Sequence, residues 1–316
     1  MNENKDRNAP AVSVPPTETV ADVRLLVLDI DGTIVDESNR VRDSVAQAIR
    51  SAQRRGVAVA IATGRLYQTS LLAYDSIGST LPLICYEGAL IREPKTGFVH
   101  RHCPLDRRVL AQVLEHTELL GLSDRVSIHF HVQDEIYVSN LNGATVNYFA
   151  RSNCYARSKV EPTVVGDLRQ LLNQSTTKVM VWGDDAYVIE RISAGLKSSD
   201  CRTQVRQDGS MTSLEAYHPT VNKRLAVSYL AEEIMGVRPE NVMAIGDDFT
   251  DIEMLRYAGI GVAMGHAPPA VKASADWVTT TVEEEGVAAA VEKWILNAAF
   301  NPAQAPACGV RPKPAM

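Results

Sequence analysis

The sequence predicts an α/β protein with a doubly wound, mainly parallel, Rossmann-like core and an inserted α+β module. Three observations predict it. Short branched apolar runs alternate with helical patterns at the start of the chain, the same alternation returns near its end, and a different pattern lies between. A chain of 316 residues also exceeds the size at which one hydrophobic core usually keeps growing. The reading gives a polar leader over 1–20, a core from 21–91 and 209–300, an insertion over 92–208 and a Pro- and Ala-containing tail over 301–316.

Arg24 to Asp29 (RLLVLD) is an apolar run of the length of a buried parallel strand. Val41, Val45, Ala48, Ile49 and Ala52 then recur at helical spacing up to Arg54, and Gly56 ends that helix before a strand over Val57 to Ile61. A second helix, Leu66 to Ile77, leads to a strand over Leu83 to Tyr86. Late in the chain a helix over Arg224 to Met235 precedes a strand over Val242 to Ile245. A helix over Asp251 to Tyr257, a strand over Ile260 to Ala263 and a last helix over Glu283 to Leu296 complete the core. Inside the insertion, Ser127 to His131 and Ile136 to Val138 alternate as half-buried strands do, and Arg107 to Leu119 reads as a helix.

Composition narrows the classes of function. The net charge is −6, which argues against general nucleic-acid binding, and 45% hydrophobic with 22% charged residues is the balance of a globular protein without a transmembrane run. The five cysteines are scattered and contain no Cys-x-x-Cys pair, which fits a reducing cytoplasm better than a disulfide framework or zinc site. The leader lacks the apolar stretch of a secretory signal.

Carboxylates collect where strands end. Asp29 and Asp31, in DIDGT, follow the first strand and so fall at the edge where open parallel sheets bind ligands; Gly32 permits the turn. One such Asp can bind Mg²⁺ and attack phosphorus, and the other can protonate a leaving group. Thr63 and Gly64 follow the second strand with a hydroxyl and backbone amides suited to a phosphoryl oxygen. Asp247, Asp248 and Asp251, in GDDFTD, stand at a third strand end, where Asp247 with Asp29 makes a Mg²⁺ site and Asp251 orients ligands from behind. Lys223, at a helix start where the dipole disfavours a cation, fits a nearby anion. Taken singly, these residues also fit an Asp-Gly turn, helix caps and a solvated lysine.

In this order the motifs resemble the haloacid dehalogenase superfamily, and within it the Cof-type phosphatases with a large α+β cap. DIDGT, ATGR (Ala62 to Arg65), Lys223 in VNKRLAV and GDDFTDIEML (Gly246 to Leu255) carry the resemblance, which spans about residues 24 to 297. It implies a Mg²⁺-dependent phosphatase acting on a small phosphorylated metabolite, such as a sugar phosphate, through an aspartyl-phosphate. Asp29 is then the nucleophile, Asp31 the acid and base, and Thr63, Gly64 and Lys223 the phosphate site. Asp29, Asp247 and the backbone carbonyl of Asp31 hold the metal. A phosphosugar mutase of the same superfamily and a non-catalytic phosphate- or partner-binding protein are the alternatives.

Where the family commonly has Asn, this chain has Glu87, Thr250 and His266, all expected near the site. A glutamate beside phosphate is repulsive unless a cation, or a substrate amine or hydroxyl, pairs with it. Other signals are better explained by structure. His129 and His131 share a strand face without a third ligand, GIGVAMG (Gly259 to Gly265) spans a strand instead of opening a helix, and Glu283 to Glu285 suit the first turn of the last helix.

Overall fold

The computed structural model describes residues 22–36, 38–141, 143–152, 160–197 and 199–297. The leader over 1–20, the tail over 301–316, Cys154 and Cys308 lie outside the described residues. In chain order the elements begin β1 (Leu25–Leu28), α1 (Asp43–Arg54), β2 (Ala58–Ile61), α2 (Tyr67–Ser76), β3 (Leu83–Cys85), β4 (Leu90–Arg92) and β5 (Val99–His102). They continue α3 (Arg107–Leu119), β6 (Ser127–Val132), β7 (Glu135–Val138), α4 (Gly143–Ser152), β8 (Pro162–Val164), β9 (Thr176–Gly183), α5 (Ala186–Ser193), β10 (Arg202–Asp208) and β11 (Met211–Tyr217). The last are α6 (Lys223–Ser228), β12 (Val242–Gly246), α7 (Ile252–Tyr257), β13 (Ile260–Ala263), α8 (Pro269–Lys272), β14 (Trp277–Val278) and α9 (Gly286–Val291).

The α/β class read from the sequence holds. A parallel five-stranded sheet runs β14-β13-β12-β1-β2, with β1 at its centre. Both faces of β1 are covered, which is why its sequence is apolar without alternation: Leu26 and Leu28 join one core, Leu25 and Val27 the other. Because β2 and β12 flank β1 and the chain reaches them in opposite directions, the crevice of this sheet opens at the carboxyl ends of β1 and β12.

Between the two halves of that core lies a six-stranded sheet, β10-β11-β9-β6-β7-β8, antiparallel except for the β7–β8 pair. One face, with Ile128, Phe130, Val179, Val181 and Leu214, packs on α3 and α5 through Val109, Leu110, Val113, Val188 and Ile192. By strand alternation the opposite face carries His129, His131, Lys178, Met180, Trp182, Glu215 and Tyr217.

Several element boundaries differ from the sequence reading. Helix α1 starts at Asp43, because Val41 bridges to Val35 instead of beginning the helix. Strand β3 turns back in a three-stranded antiparallel sheet with β4 and β5, and meets the end of β2 at the isolated Ala62–Ile84 bridge. The helix after Lys223 is α-helical to Ser228 and then widens to π winding until Gly236, at φ +66°, stops it. Glu283 to Glu285 precede the last helix instead of forming its first turn, since Glu285 at φ +63° closes a turn and α9 begins at Gly286. The β10–β11 hairpin runs through Asp208, where the insertion was expected to end, to Tyr217.

Candidate active site

Strand register brings the motif residues together. Leu28 is level with Ile61 on one side and Ile245 on the other, so Asp29, Thr63 and Asp247 emerge at one sheet edge. The Asp29 amide donates to the Ile245 carbonyl at 3.1 Å, which carries strand pairing up to the carboxylate. A tight turn follows, in which the Ile30 carbonyl accepts from the amides of Thr33, Ile34 and Val35. Gly32 in that turn has φ +69°, and a Cβ there would stand 2.4 Å from Asp247 Oδ2, so both conformation and space require glycine.

Lys223 is the hub. Its Nζ donates to Asp29 Oδ1 at 2.7 Å and Asp251 Oδ1 at 2.6 Å, and all three side chains are buried. Asn222 positions it by capping α6, its Oδ1 accepting from the Leu225 amide at 2.7 Å. Asp251 spends its other oxygen on the amides of Asp247 and Asp248, both at 3.0 Å, and so ties the third strand end to the lysine. Asp247 Oδ1 accepts from Thr33 Oγ1 at 3.1 Å, and His266 Nε2 lies 3.5 Å from Asp247 Oδ2.

The electrostatics call for another cation. Burial opposes charge on Lys223, but attraction from Asp251 and Asp29 outweighs it and holds the ammonium well above its ordinary pKa. Asp29 is pushed well above the carboxylate range, first by burial, then by Asp251, Asp247 and Asp31 against the opposing pull of Lys223. Burial and Asp251 push Asp247 up to about 7. Carboxylate oxygens of Asp29, Asp247 and Asp251 lie within 4.8 Å of one another. Since both Asp251 oxygens are committed, Asp29 and Asp247 are the side chains open to a metal. An all-oxygen, electron-rich donor set fits a hard divalent cation.

Thr63 is buried and does not cap α2, whose N-cap is Leu66. Its amide donates to the Ile84 carbonyl at 3.0 Å and its hydroxyl accepts from the Arg65 amide at 3.2 Å, so the free amides expected here reduce to that of Gly64 among the described residues. Asp31 lines the same cavity, but its side chain is 61% exposed and pairs with Arg65, whose Nε donates to Asp31 Oδ2 at 2.8 Å. Thr250 is buried with a hydroxyl that has no partner among the described residues.

The cavity, about 460 Å³, lies between this edge and the polar face of the six-stranded sheet. Its far wall was invisible in the sequence. Arg206 of β10 reaches Glu87 Oε1 at 3.0 Å and Asp248 Oδ2 at 3.0 Å, and Lys178 of β9 donates to Glu215 Oε1 of β11 at 2.6 Å. Glu87 sits at φ +56°, a conformation Asn tolerates better than Glu, and a Cβ on Gly64 would stand 2.4 Å from its Oε1. His129 and His131 are packed in the sheet against Tyr148 and Tyr86; burial, then Lys178, pushes His129 down to about 3 and His131 well below its ordinary value.

Fold, strand-end carboxylates and buried lysine together define a hydrolase class, and comparison with known proteins agrees. The sequence profile of haloacid dehalogenase-like hydrolases matches residues 26–291, and the chain belongs to that family. A Bacillus subtilis protein named 5-amino-6-(5-phospho-D-ribitylamino)uracil phosphatase is 30% identical over 84% of this chain and 94% of its own length. A Methanothermobacter thermautotrophicus phosphoglycolate phosphatase is 26% identical over 86% of this chain and 99% of its own. A haloacid dehalogenase-like hydrolase from Bacteroides thetaiotaomicron superposes with a TM-score of 0.73 at 24% identity, covering 86% of this chain and 99% of that one, and supports the fold. The resemblance to Cof-type phosphatases read from the motifs is borne out, and with it the enzyme class, a phosphatase-type hydrolase. Among the described residues no helix is long and apolar enough to cross a membrane.

Proposed function

We propose that this protein is a Mg²⁺-dependent phosphatase that hydrolyses a small phosphate monoester through an aspartyl-phosphate on Asp29. The observation that carries the reading is the Lys223 hub, which fixes one Asp29 oxygen and leaves the other to attack. Asp29 and Asp247 side chains and the Asp31 carbonyl would hold the metal. A bound divalent ion supplies positive charge to the phosphoryl oxygens and keeps Asp29 ionised.

Thr63, the Gly64 amide and Lys223 receive the phosphoryl group, whose loose transition state is stabilised mainly by positioned charge. Asp29 attacks phosphorus as the ester oxygen departs. Asp31, which takes up a proton from solvent on leaving its exposed pair with Arg65, gives that oxygen this proton. The same carboxylate then takes a proton from the water that attacks the aspartyl-phosphate, so the two half-reactions share one acid–base group.

We take the six-stranded sheet and its helices as a cap that excludes water and meets the leaving group, beginning near Arg92 and, because β10 and β11 form one hairpin, ending at Tyr217. The free thiols of Cys85, Cys103 and Cys201 support a cytoplasmic setting. The test is phosphate release from a panel of phosphorylated metabolites, with and without Mg²⁺. The panel includes the Bacillus relative's namesake phosphate and sugar phosphates. Release that needs Mg²⁺ and disappears in Asp29→Asn supports the proposal; release that survives either change refutes it.

A further inference from the structure

We infer that Glu87 and Arg206 form a specificity-determining pair that selects phosphate esters whose leaving group is an uncharged, hydroxyl-bearing compound and rejects those carrying a second anion. The inference rests on the phosphatase reading and extends it to the leaving group. Glu87 is 4% exposed and lies against Gly64, beside the phosphate cradle. An uncompensated carboxylate there would repel every phosphate ester. Arg206, reaching across from the opposite sheet, removes that repulsion by pairing with Oε1, and it also pairs with Asp248.

The rest of that wall follows the same rule. Lys178 is paired with Glu215, whose other oxygen accepts from the Tyr217 hydroxyl at 2.7 Å. Burial opposes charge on Glu215, yet Lys178 and Arg206 outweigh it and hold its pKa below the usual range. Two cations therefore face two carboxylates, with Asp248 a third, and both cations are already engaged. A second phosphate or a carboxylate directed at this wall would find no uncommitted positive charge there and would have to break one of these pairs. Hydroxyl groups meet a different wall. Glu87 lines the cavity, and its Oε2, buried with no hydrogen-bond partner among the described residues, is a costly stripped acceptor that a small turn of the carboxylate presents to a donor in the cavity. A leaving-group hydroxyl beside the phosphoester is such a donor, and the paired charges beyond it offer further donors and acceptors without net positive charge.

The test compares kcat/KM for ribose 5-phosphate, 2-phosphoglycolate, fructose 1,6-bisphosphate and p-nitrophenyl phosphate in the native protein, Glu87→Gln, Arg206→Gln and the double variant. The native protein should favour ribose 5-phosphate over phosphoglycolate and the bisphosphate by at least about tenfold. Glu87→Gln releases Arg206 from one carboxylate and should raise the phosphoglycolate-to-ribose-phosphate ratio by at least about tenfold. Arg206→Gln exposes Glu87 to the phosphate and should weaken all four substrates alike, and the double variant should recover p-nitrophenyl phosphate hydrolysis relative to Arg206→Gln. A native preference for the anionic substrates, a ratio within about twofold of native in Glu87→Gln, or no recovery in the double variant overturns the inference. Absence of release from all four by the native protein instead overturns the phosphatase reading, and the inference falls with it.

Discussion

Replacing Asp251 by Asn probes the hub without touching either Asp29 or the lysine. The carboxylate is fully buried and makes three hydrogen bonds, one from Lys223 Nζ at 2.6 Å and two from the amides of Asp247 and Asp248 at 3.0 Å. Asparagine has one acceptor oxygen. If that oxygen stays on the amides, its NH₂ meets the lysine donor to donor; if it turns to the lysine, two buried amides lose their acceptor. Loss of a charge-assisted hydrogen bond costs about 1.5–3 kcal/mol, and the mismatched donor adds about 1 kcal/mol. Removing one of three crowded carboxylates relieves Asp29 and Asp247, which returns about 1 kcal/mol. The balance is a destabilisation of about 2 kcal/mol, or about 4–8 °C in Tm. Lys223 then holds Asp29 from one anchor only, and kcat for the preferred phosphate ester should fall about 10–100-fold. Thermal unfolding and phosphate release measure the two effects. An unchanged or raised Tm together with kcat within about twofold of native would refute the assignment of Asp251 as the group that positions Lys223.

Mg²⁺ should raise the Tm of the native protein, by about 2.7 kcal/mol of stabilisation at a hundredfold excess over Kd, and Asp247→Asn should lose most of that gain; differential scanning fluorimetry with and without chelator checks it. Gly32→Ala forces a side chain into a positive φ, at about 1–2 kcal/mol, and drives its Cβ against Asp247, so phosphate release should fall with a lower Tm. The buried histidines set a pH dependence. Folded-state pKa values below the unfolded value near 6.5 mean that the stability held by neutral His129 and His131 is complete above pH 6.5 and declines as pH falls towards about 3. Tm measured across that window should drop less steeply in His129→Gln than in the native protein.

The carboxylate-bearing sheet edge was legible because Asp29, Thr63 and Asp247 follow closely on apolar strands. Leu25 to Leu28, Ala58 to Ile61 and Val242 to Gly246 announce themselves as buried parallel strands, and whatever follows them must meet at one edge. Lys223 was legible through its awkward place at a helix start, which suited a nearby anion, and it pairs there with Asp29 and Asp251. Arg206 was not, since RTQVRQD is an unremarkable solvent-edge strand until the pairing of β10 with β11 carries it over the site. Glu87 raised the need for a counter-charge without naming it, because the partner lies 119 residues away in sequence. The later start of the last helix escaped for another reason: it depends on one left-handed residue, Glu285, and helical periodicity alone does not register such a turn.

The most direct test of the account is to quench turnover of a preferred phosphate ester in acid and map phosphate on the protein. A hydroxylamine-labile phosphoryl group on the peptide containing Asp29, absent in Asp29→Asn, is the expected result. Rapid turnover with no phosphoenzyme at any time point, or phosphate on another residue, would contradict nucleophilic attack by Asp29.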